Sequence, residues 1–104
     1  MKTYEDIINH FGVRNQMRKL SEECYEFVEA VDNYEDVMNF IHNASDRDKE
    51  LAREFVIEEM GDMLILITQF IAKYDIKKSE LDYTMDAKLQ RTIQRINTGY
   101  YDKF

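Results

Sequence analysis

Residues 63–72 read MLILITQFIA, a run that is apolar on nearly every side when it is wound into a helix. A helix that is hydrophobic all round must be buried all round. The run is too short, and too polar at its flanks, to cross a bilayer. Because a chain of 104 residues buries a modest fraction of its surface on folding, we expect self-association, rather than one monomer alone, to cover this helix.

Helix breakers are scarce, since the sequence has no proline and three glycines, and this favours long helices. We predict a first helix over residues 3–11, with Thr3 as its cap and Gly12 as its end. A second helix is predicted to begin near Arg14 or Asn15. Its apolar residues recur mostly at three- and four-residue steps, which predicts one buried stripe of Met17, Leu20, Cys24, Phe27, Val28 and Val31.

The later helices follow a segment, residues 33–48, that shows only a short apolar pattern. The third helix is predicted from about residue 46 to residue 74, after a polar turn and cap. The fourth is predicted with Ser79 as its cap and Gly99 as its stop, and the aromatic tail 100–104 is expected to pack onto the bundle or a partner. No stretch alternates as a strand does. The sequence therefore predicts an all-α fold, a single antiparallel four-helix-bundle-like domain over residues 1–104.

The chain is acidic, with 21 Asp and Glu residues, 14 Lys and Arg residues and a formal net charge of −7. This balance argues against binding along a nucleic-acid backbone, which needs a basic face. An anionic small substrate fits only if a cation lies between it and the carboxylates. Nothing near Met1 resembles a signal peptide, and we expect no membrane association. The lone Cys24 is expected to be a buried thiol rather than a nucleophile, so the setting is predicted to be reducing and cytoplasmic.

Acidic residues gather on the second predicted helix, where Glu22, Glu23 and Glu26 are spaced so that their side chains converge beside the apolar stripe. Like charges at these spacings repel and destabilise a bare helix by a few tenths of a kcal/mol per pair. One interpretation is an ordinary solvated acidic face near Lys19. The other is a ligand set, and this segment alone does not decide between them.

The third predicted helix carries Glu59 and Asp62 on one face with Phe55 and Leu66, inside an apolar run. Burying an unpaired carboxylate costs several kcal/mol, so something must compensate it. A lysine or arginine nearby would make a structural salt bridge. A divalent cation shared with the acidic helix is the alternative, and oxygen ligands favour Mg²⁺ or Mn²⁺. The sequence lacks the clustered Cys and His of a zinc site and the Glu-x-x-His pairs of a di-iron bundle.

Basic residues recur on the fourth predicted helix, where Lys88, Arg91 and Arg95 share one face. By themselves they are typical of a solvated basic face or of partners for surface acids. Beside a metal-loaded carboxylate cluster, the same residues would be phosphate ligands.

The pattern Glu22-Glu23-x-x-Glu26 followed by Glu59-x-x-Asp62 resembles the signature of the MazG-like family of all-α NTP pyrophosphohydrolases. The residues that flank both motifs are also similar to those of the family, and so is the C-terminal segment from residue 88 to residue 101. The resemblance therefore covers most of the chain. One departure is the interval of 32 residues between Glu26 and Glu59, which is longer than in compact MazG domains because of a segment around residues 33–46. This insertion makes nucleobase recognition harder to predict.

The resemblance implies hydrolysis of a (deoxy)nucleoside triphosphate to the nucleoside monophosphate and pyrophosphate, for nucleotide pool cleansing or regulation. It implies Mg²⁺, with Mn²⁺ as a possible substitute, and a homodimer or dimer of dimers. Either Glu23 or Glu26 would activate water. The implied metal ligands are Glu22, Glu23, Glu26, Glu59 and Asp62, the implied phosphate ligands Lys88, Arg91 and Arg95, and the implied base-binding residues Asn15 and Gln16.

Two other functions compete with this hypothesis. A catalytically silent helical homo-oligomer would act as a protein-binding module and keep its carboxylates for structural reasons. A nucleic-acid-binding helical protein is less well supported, because the only basic face is short and the net charge is negative. The first alternative differs from the enzyme in one respect, since only the enzyme should bind magnesium through both acidic helices.

Overall fold

The computed structural model describes residues 3–103, in which every regular element is a helix. No strand forms in this range, so the all-α prediction is confirmed. The chain divides into two compact units, Met1–Lys73 and Tyr74–Phe104, and each is described by itself. The prediction of one domain over residues 1–104 stays a prediction. The elements are α1 (Tyr4–Phe11), α2 (Val13–Asn39), α3 (Asp46–Lys73), α4 (Lys78–Asn97) and a 3-10 helix (Tyr100–Lys103).

Helix α1 begins and ends where the sequence predicts. The backbone N–H of Asp6 donates to Thr3 Oγ1 (3.3 Å), and the Thr3 N–H donates to an Asp6 carboxylate oxygen (2.9 Å), which completes a capping box. Gly12, with φ +92°, separates α1 from α2 in a backbone conformation that residues with a Cβ rarely adopt. The predicted start of the second helix is therefore correct to within two residues.

Helices α2 and α3 form a hairpin whose two arms are matched in length. Asn39, where α2 ends, lies thirteen positions after Glu26, and Glu59 lies thirteen positions after Asp46, where α3 begins. Since each helical residue rises about 1.5 Å, both glutamates lie about 20 Å from the turn, at the same level. The segment around residues 33–46 thus forms the last turns of α2 and the connection to α3, and Glu26 and Glu59 remain at the same level.

The contact between α2 and α3 follows a seven-residue repeat. On α2 the repeat passes through Gln16, Glu23, Ala30 and Val37, of which all but the half-buried alanine are buried. On α3 it passes through Ala52, Glu59 and Leu66. We call these positions the seam. Helix α1 packs on both helices and places Ile8, the most completely buried side chain, in the same unit.

The predicted stripe on α2 is only partly correct. Met17, Cys24 and Val28 are exposed, so the prediction of a buried Cys24 thiol is wrong. The reason is rotation about the helix axis, because the seam passes through Glu23, and the next residue is turned by about 100°. The three apolar members Leu20, Phe27 and Val31, which flank the seam, are half-buried.

Helix α3 begins with a cap at Ser45, inside the polar turn that the sequence predicts. The Asp48 N–H donates to Ser45 Oγ, and the Ser45 N–H donates to an Asp48 carboxylate oxygen, each at 3.0 Å. These hydrogen bonds lower the pKa of Asp48. The sequence therefore predicts the start of α3 correctly, and α3 ends at Lys73, one residue before the predicted end.

In the C-terminal unit, the predicted N-cap of the fourth helix is wrong and its predicted end is confirmed. Helix α4 begins at Lys78, and its N-cap is Lys77 without a side-chain hydrogen bond, so Ser79 lies inside the first turn and is not the cap. Gly99, at φ +73°, ends the helix as predicted. The tail packs on α4, with the Arg95 guanidinium 4.6 Å from the centre of the Tyr100 ring. The last residue of the predicted aromatic tail, Phe104, lies outside the described residues.

Within residues 3–103, no helix has both the length and the apolar character that crossing a membrane requires.

Replacing Ser45 by alanine should lower the free energy of unfolding by about 1 kcal/mol, because the Asp48 N–H loses its acceptor at the start of α3. Ser79→Ala is the matched control, since Ser79 caps nothing. Urea denaturation at one fixed protein concentration measures both variants. Equal effects of the two substitutions would contradict the assignment of Ser45 as the cap.

Candidate metal centre

Three carboxylates meet on the α2–α3 hairpin. Glu23, Glu26 and Glu59 each contribute an oxygen, and these three oxygens lie within 4.8 Å of one another. Glu23 is 5% exposed, Glu59 is half-buried and Glu26 is exposed. Glu23 and Glu59 both lie on the seam, and Glu26 follows Glu23 by one helical turn at the level of Glu59, so local helix geometry and matched arm length together build the cluster.

Lys19 compensates part of the negative charge. Its Nζ lies 3.0 Å from Glu23 Oε1, one helical turn away on α2. The hydrogen bond from this ammonium holds the pKa of Glu23 below its usual value, although burial opposes the effect. The salt bridge considered as an alternative for Glu59 and Asp62 is a different one, and no Lys or Arg among the described residues forms a salt bridge with either of them. The Lys19 salt bridge engages only one of the two oxygens of Glu23.

Two buried oxygens remain without compensation. Glu23 Oε2 and Glu59 Oε2 are sealed from solvent and have no hydrogen-bond partner among the described residues. Burial, followed by the neighbouring Glu23 and Glu26, raises the pKa of Glu59 to about 7. An unsatisfied buried polar group is costly, and here two share one cluster. Oxygen-only ligands that repel one another fit a hard divalent cation such as Mg²⁺.

The other two predicted ligands lie outside this group of three. Glu22 and Asp62 are exposed and, together with the buried Glu23, line a neighbouring cavity of about 670 Å³. The structure thus brings three of the five predicted carboxylates together and places the remaining two beside them. A ligand role for Glu22 and Asp62 stays a prediction.

The cavity extends from these carboxylates to an apolar and amide-lined end. The two predicted base-binding residues both line it. The Asn15 side-chain amide donates to the Phe11 carbonyl at 2.7 Å, whereas the buried Gln16 donates to Gln69 Oε1 at 2.8 Å. The full lining consists of Phe11, Asn15, Gln16, Arg18, Lys19, Glu22, Glu23, Asp62, Ile65, Leu66 and Gln69.

Sequence reasoning did not identify two of these lining residues. Gln69 is 2% exposed and is the only amide in the apolar run 63–72, which is the signal that marks it. Arg18 is an exposed cation beside the acidic motif and carries no such signal.

The predicted phosphate ligands belong to α4, in the C-terminal unit. Lys88 and Arg91 are exposed, and Arg95 is half-buried against Tyr100. Their role as phosphate ligands stays a prediction.

Comparison with known families identifies the chain. Residues 11–98 match the model of the MazG nucleotide pyrophosphohydrolase domain, a range that spans both compact units and contains all five predicted carboxylate ligands. The chain belongs to the MazG family. No curated protein and no solved structure matches it significantly. Membership indicates a nucleotide pyrophosphohydrolase, a hydrolase that acts on the acid anhydrides of a nucleotide substrate.

In the absence of divalent cations, this MazG domain should become less stable between about pH 5 and about pH 8. The pKa of Glu59 is about 7 in the folded chain against an ordinary 4.5, so over this window the folded state holds a proton that the unfolded state has released. Rising pH removes that proton at a cost to the folded state. Thermal unfolding in chelator should show a falling midpoint, and Glu59→Gln should flatten the decline.

Glu58→Gln is the control for this pH series, because Glu58 is the exposed neighbour of Glu59 on the same helix. Its pH profile should match the wild type. A decline of equal slope in Glu59→Gln would show that another group causes it.

Proposed function

We propose that this MazG domain hydrolyses a (deoxy)nucleoside triphosphate to the nucleoside monophosphate and pyrophosphate with Mg²⁺, for which Mn²⁺ can substitute. The observation that carries the proposal is the pair of buried, unpartnered oxygens on Glu23 and Glu59. A silent scaffold has no use for this costly arrangement, whereas a cation-dependent hydrolase requires it. We propose nucleotide pool cleansing or regulation in the cytoplasm as the role.

The proposed metal ligands are Glu22, Glu23, Glu26, Glu59 and Asp62. When bound, the cation would offset the charge of the phosphate oxygens and favour cleavage of the anhydride. The carboxylates would hold it on a helical hairpin rather than on loops, which keeps their separation fixed.

Water activation is best assigned to Glu26. One oxygen of Glu23 is held by Lys19 and the other is sealed from solvent, so an attacking water has no access to Glu23. Glu26 is exposed and shares the cluster. Its carboxylate would orient the water and accept its proton while the bond between the α- and β-phosphates breaks and pyrophosphate leaves.

The substrate would lie along the cavity, with its phosphates at the carboxylate end and its base at the amide end. Asn15 and Gln16 line the second end, which supports their role in base binding. We propose Lys88, Arg91 and Arg95 as the cations that hold the phosphate tail, because their spacing places them on one face of α4.

Self-association is supported by an exposed apolar row on α3. Its members recur at three- and four-residue steps and are between 37% and 54% exposed: Ile57, Met60, Leu64 and Ile67. Such a row is typical of helix-to-helix contact between subunits. We propose a homodimer or a dimer of dimers.

Glu59→Gln should lower pyrophosphate release by roughly 100-fold or more, because it removes a charged oxygen from the cation site. The fold should survive, since the substitution relieves carboxylate repulsion. The assay is pyrophosphate release from ribo- and deoxyribonucleoside triphosphates with Mg²⁺, with Mn²⁺ and with chelator. Glu58→Gln, one residue away and exposed, should retain wild-type turnover.

Wild-type turnover in Glu59→Gln would contradict the metal-site assignment. Absence of release across the whole panel, together with absence of Mg²⁺ binding by calorimetry, would favour the catalytically silent homo-oligomer that binds a partner protein. Mg²⁺ binding that Glu59→Gln weakens, without release from any substrate tested, would retain the site and reject these substrates.

Leu64→Glu should halve the mass of the particle in solution, because it places a charge in the middle of the exposed apolar row. Phe40→Glu is the matched control, since Phe40 is 72% exposed at the turn and lies outside that row. Size-exclusion chromatography with light scattering measures both masses. An unchanged mass for Leu64→Glu, or a monomeric wild type, would reject the row as an interface.

A further inference from the structure

A buried hydrogen bond between two glutamine side chains lies at the end of the cavity away from the carboxylates. Gln16 Nε2 donates to Gln69 Oε1 at 2.8 Å, and the side chains are 7% and 2% exposed. The bond joins α2 to α3 across 53 residues of sequence. It is a buried polar contact beside the apolar side chains of Phe11, Ile65 and Leu66, so it needs an explanation.

Stability does not explain the pair. Replacing both partners of a buried hydrogen bond by apolar groups of similar shape is close to neutral or even stabilising. A methionine pair would fill the same space without any group to satisfy, in a region that already holds Ile65 and Leu66. A function that uses the remaining amide groups is the better explanation.

The shared bond leaves each amide with one unused side. Gln16 has used one of its two N–H groups and retains the Oε1 acceptor, while Gln69 has used Oε1 as an acceptor and retains the Nε2 donors. Rotating both amides together exchanges the two roles and again leaves one donor beside one acceptor. The pair is therefore a donor–acceptor edge held in place by its own internal bond.

The surroundings of this edge suit a flat heterocycle. Phe11, Ile65 and Leu66 supply apolar walls to the same cavity, and the carboxylates Glu22 and Asp62 line it as well. Gln16 precedes Glu23 by seven residues on α2, which is about 10 Å along the helix axis. That separation is on the length scale of one nucleoside, so a base at the amide pair leaves its phosphates near the metal centre.

We propose that Gln69 is a specificity-determining residue, which fixes the Gln16 amide so that the two side chains together bind a nucleobase edge carrying an adjacent donor and acceptor. This inference rests on the proposed function, because it assigns the base-recognition end of the same cavity. It excludes bases whose hydrogen-bonding edge is blocked by methylation. Gln69 does not contact the reacting phosphates in any step. It affects the reaction only through the position of the base.

The first test compares Gln69→Met with Thr68→Val in pyrophosphate release. Substrates are nucleoside triphosphates, the N3-methyl derivative of uridine triphosphate, and ribose 5-triphosphate, which has no base. In the wild type, the KM for the methylated substrate should exceed the KM for the unmethylated one. Gln69→Met should reduce this KM ratio about tenfold or more, as expected when paired polar groups are removed. Its kcat, and its turnover of ribose 5-triphosphate, should stay within about twofold of wild type. Thr68→Val, at the half-buried neighbouring position, should leave every ratio unchanged.

Folding is controlled by a second variant. Gln69→Met alone leaves the buried Gln16 amide without its partner, whereas the double variant Gln16→Met/Gln69→Met removes both partners and should unfold at nearly the wild-type temperature. The double variant should show the same loss of base discrimination. Equal losses of turnover on all substrates, including the one without a base, would show that the pair is only structural and would overturn the proposal.

The second test does not depend on hydrolysis. The chain has four glutamines, so the side-chain amide signals of Gln16 and Gln69 can be assigned by NMR from the variants. Adding uridine monophosphate should shift both signals, and N3-methyluridine monophosphate should not. Shifts without pyrophosphate release would retain the base site and reject the proposed reaction. Release without shifts would retain the reaction and reject the amide pair as the base reader.

Discussion

The structure depends on carboxylates that occupy core positions of a helical hairpin. Glu23 and Glu59 lie at the seam positions where α2 and α3 would ordinarily place leucine or alanine, as they do with Ala52 and Leu66. Two of their oxygens have no partner among the described residues. The rest of the hairpin must supply the stability that these two positions do not, and the capping box at Ser45 and the apolar seam positions do so.

The hairpin also explains why a long interval between the acidic motifs is harmless. Because α2 extends beyond Glu26 by as many residues as α3 needs to reach Glu59, the additional sequence moves the turn away from the site without changing the register of the two helices. The matched arms are therefore consistent with the cluster of three carboxylates.

Periodicity and breakers were sufficient to predict the helices, and the acidic spacing predicted the three carboxylates that meet, Glu23, Glu26 and Glu59, together with Glu22 and Asp62, which lie outside that group. The face of α2 that is buried was not predictable from apolar residues alone, because the seam runs through Gln16 and Glu23 while Cys24 points outward. The start of α4 was missed since Ser79 resembles a cap, yet the helix begins beside Lys77. Gln69 was missed because its importance depends on a partner 53 residues away, which a local pattern does not contain.

The α2–α3 hairpin carries polar groups at two levels, and their chemistry differs in a way that suits one elongated ligand. At one level the carboxylates repel one another and only one Glu23 oxygen is held by Lys19, so the charge of this level changes as Glu59 titrates near pH 7. At the other level the amides of Gln16 and Gln69 satisfy one another and remain neutral, which makes that level rigid. A nucleotide requires this combination, because its phosphates need charge compensation whereas its base is distinguished by fixed, uncharged donors and acceptors. Placing both levels on the same two helices fixes the distance between them.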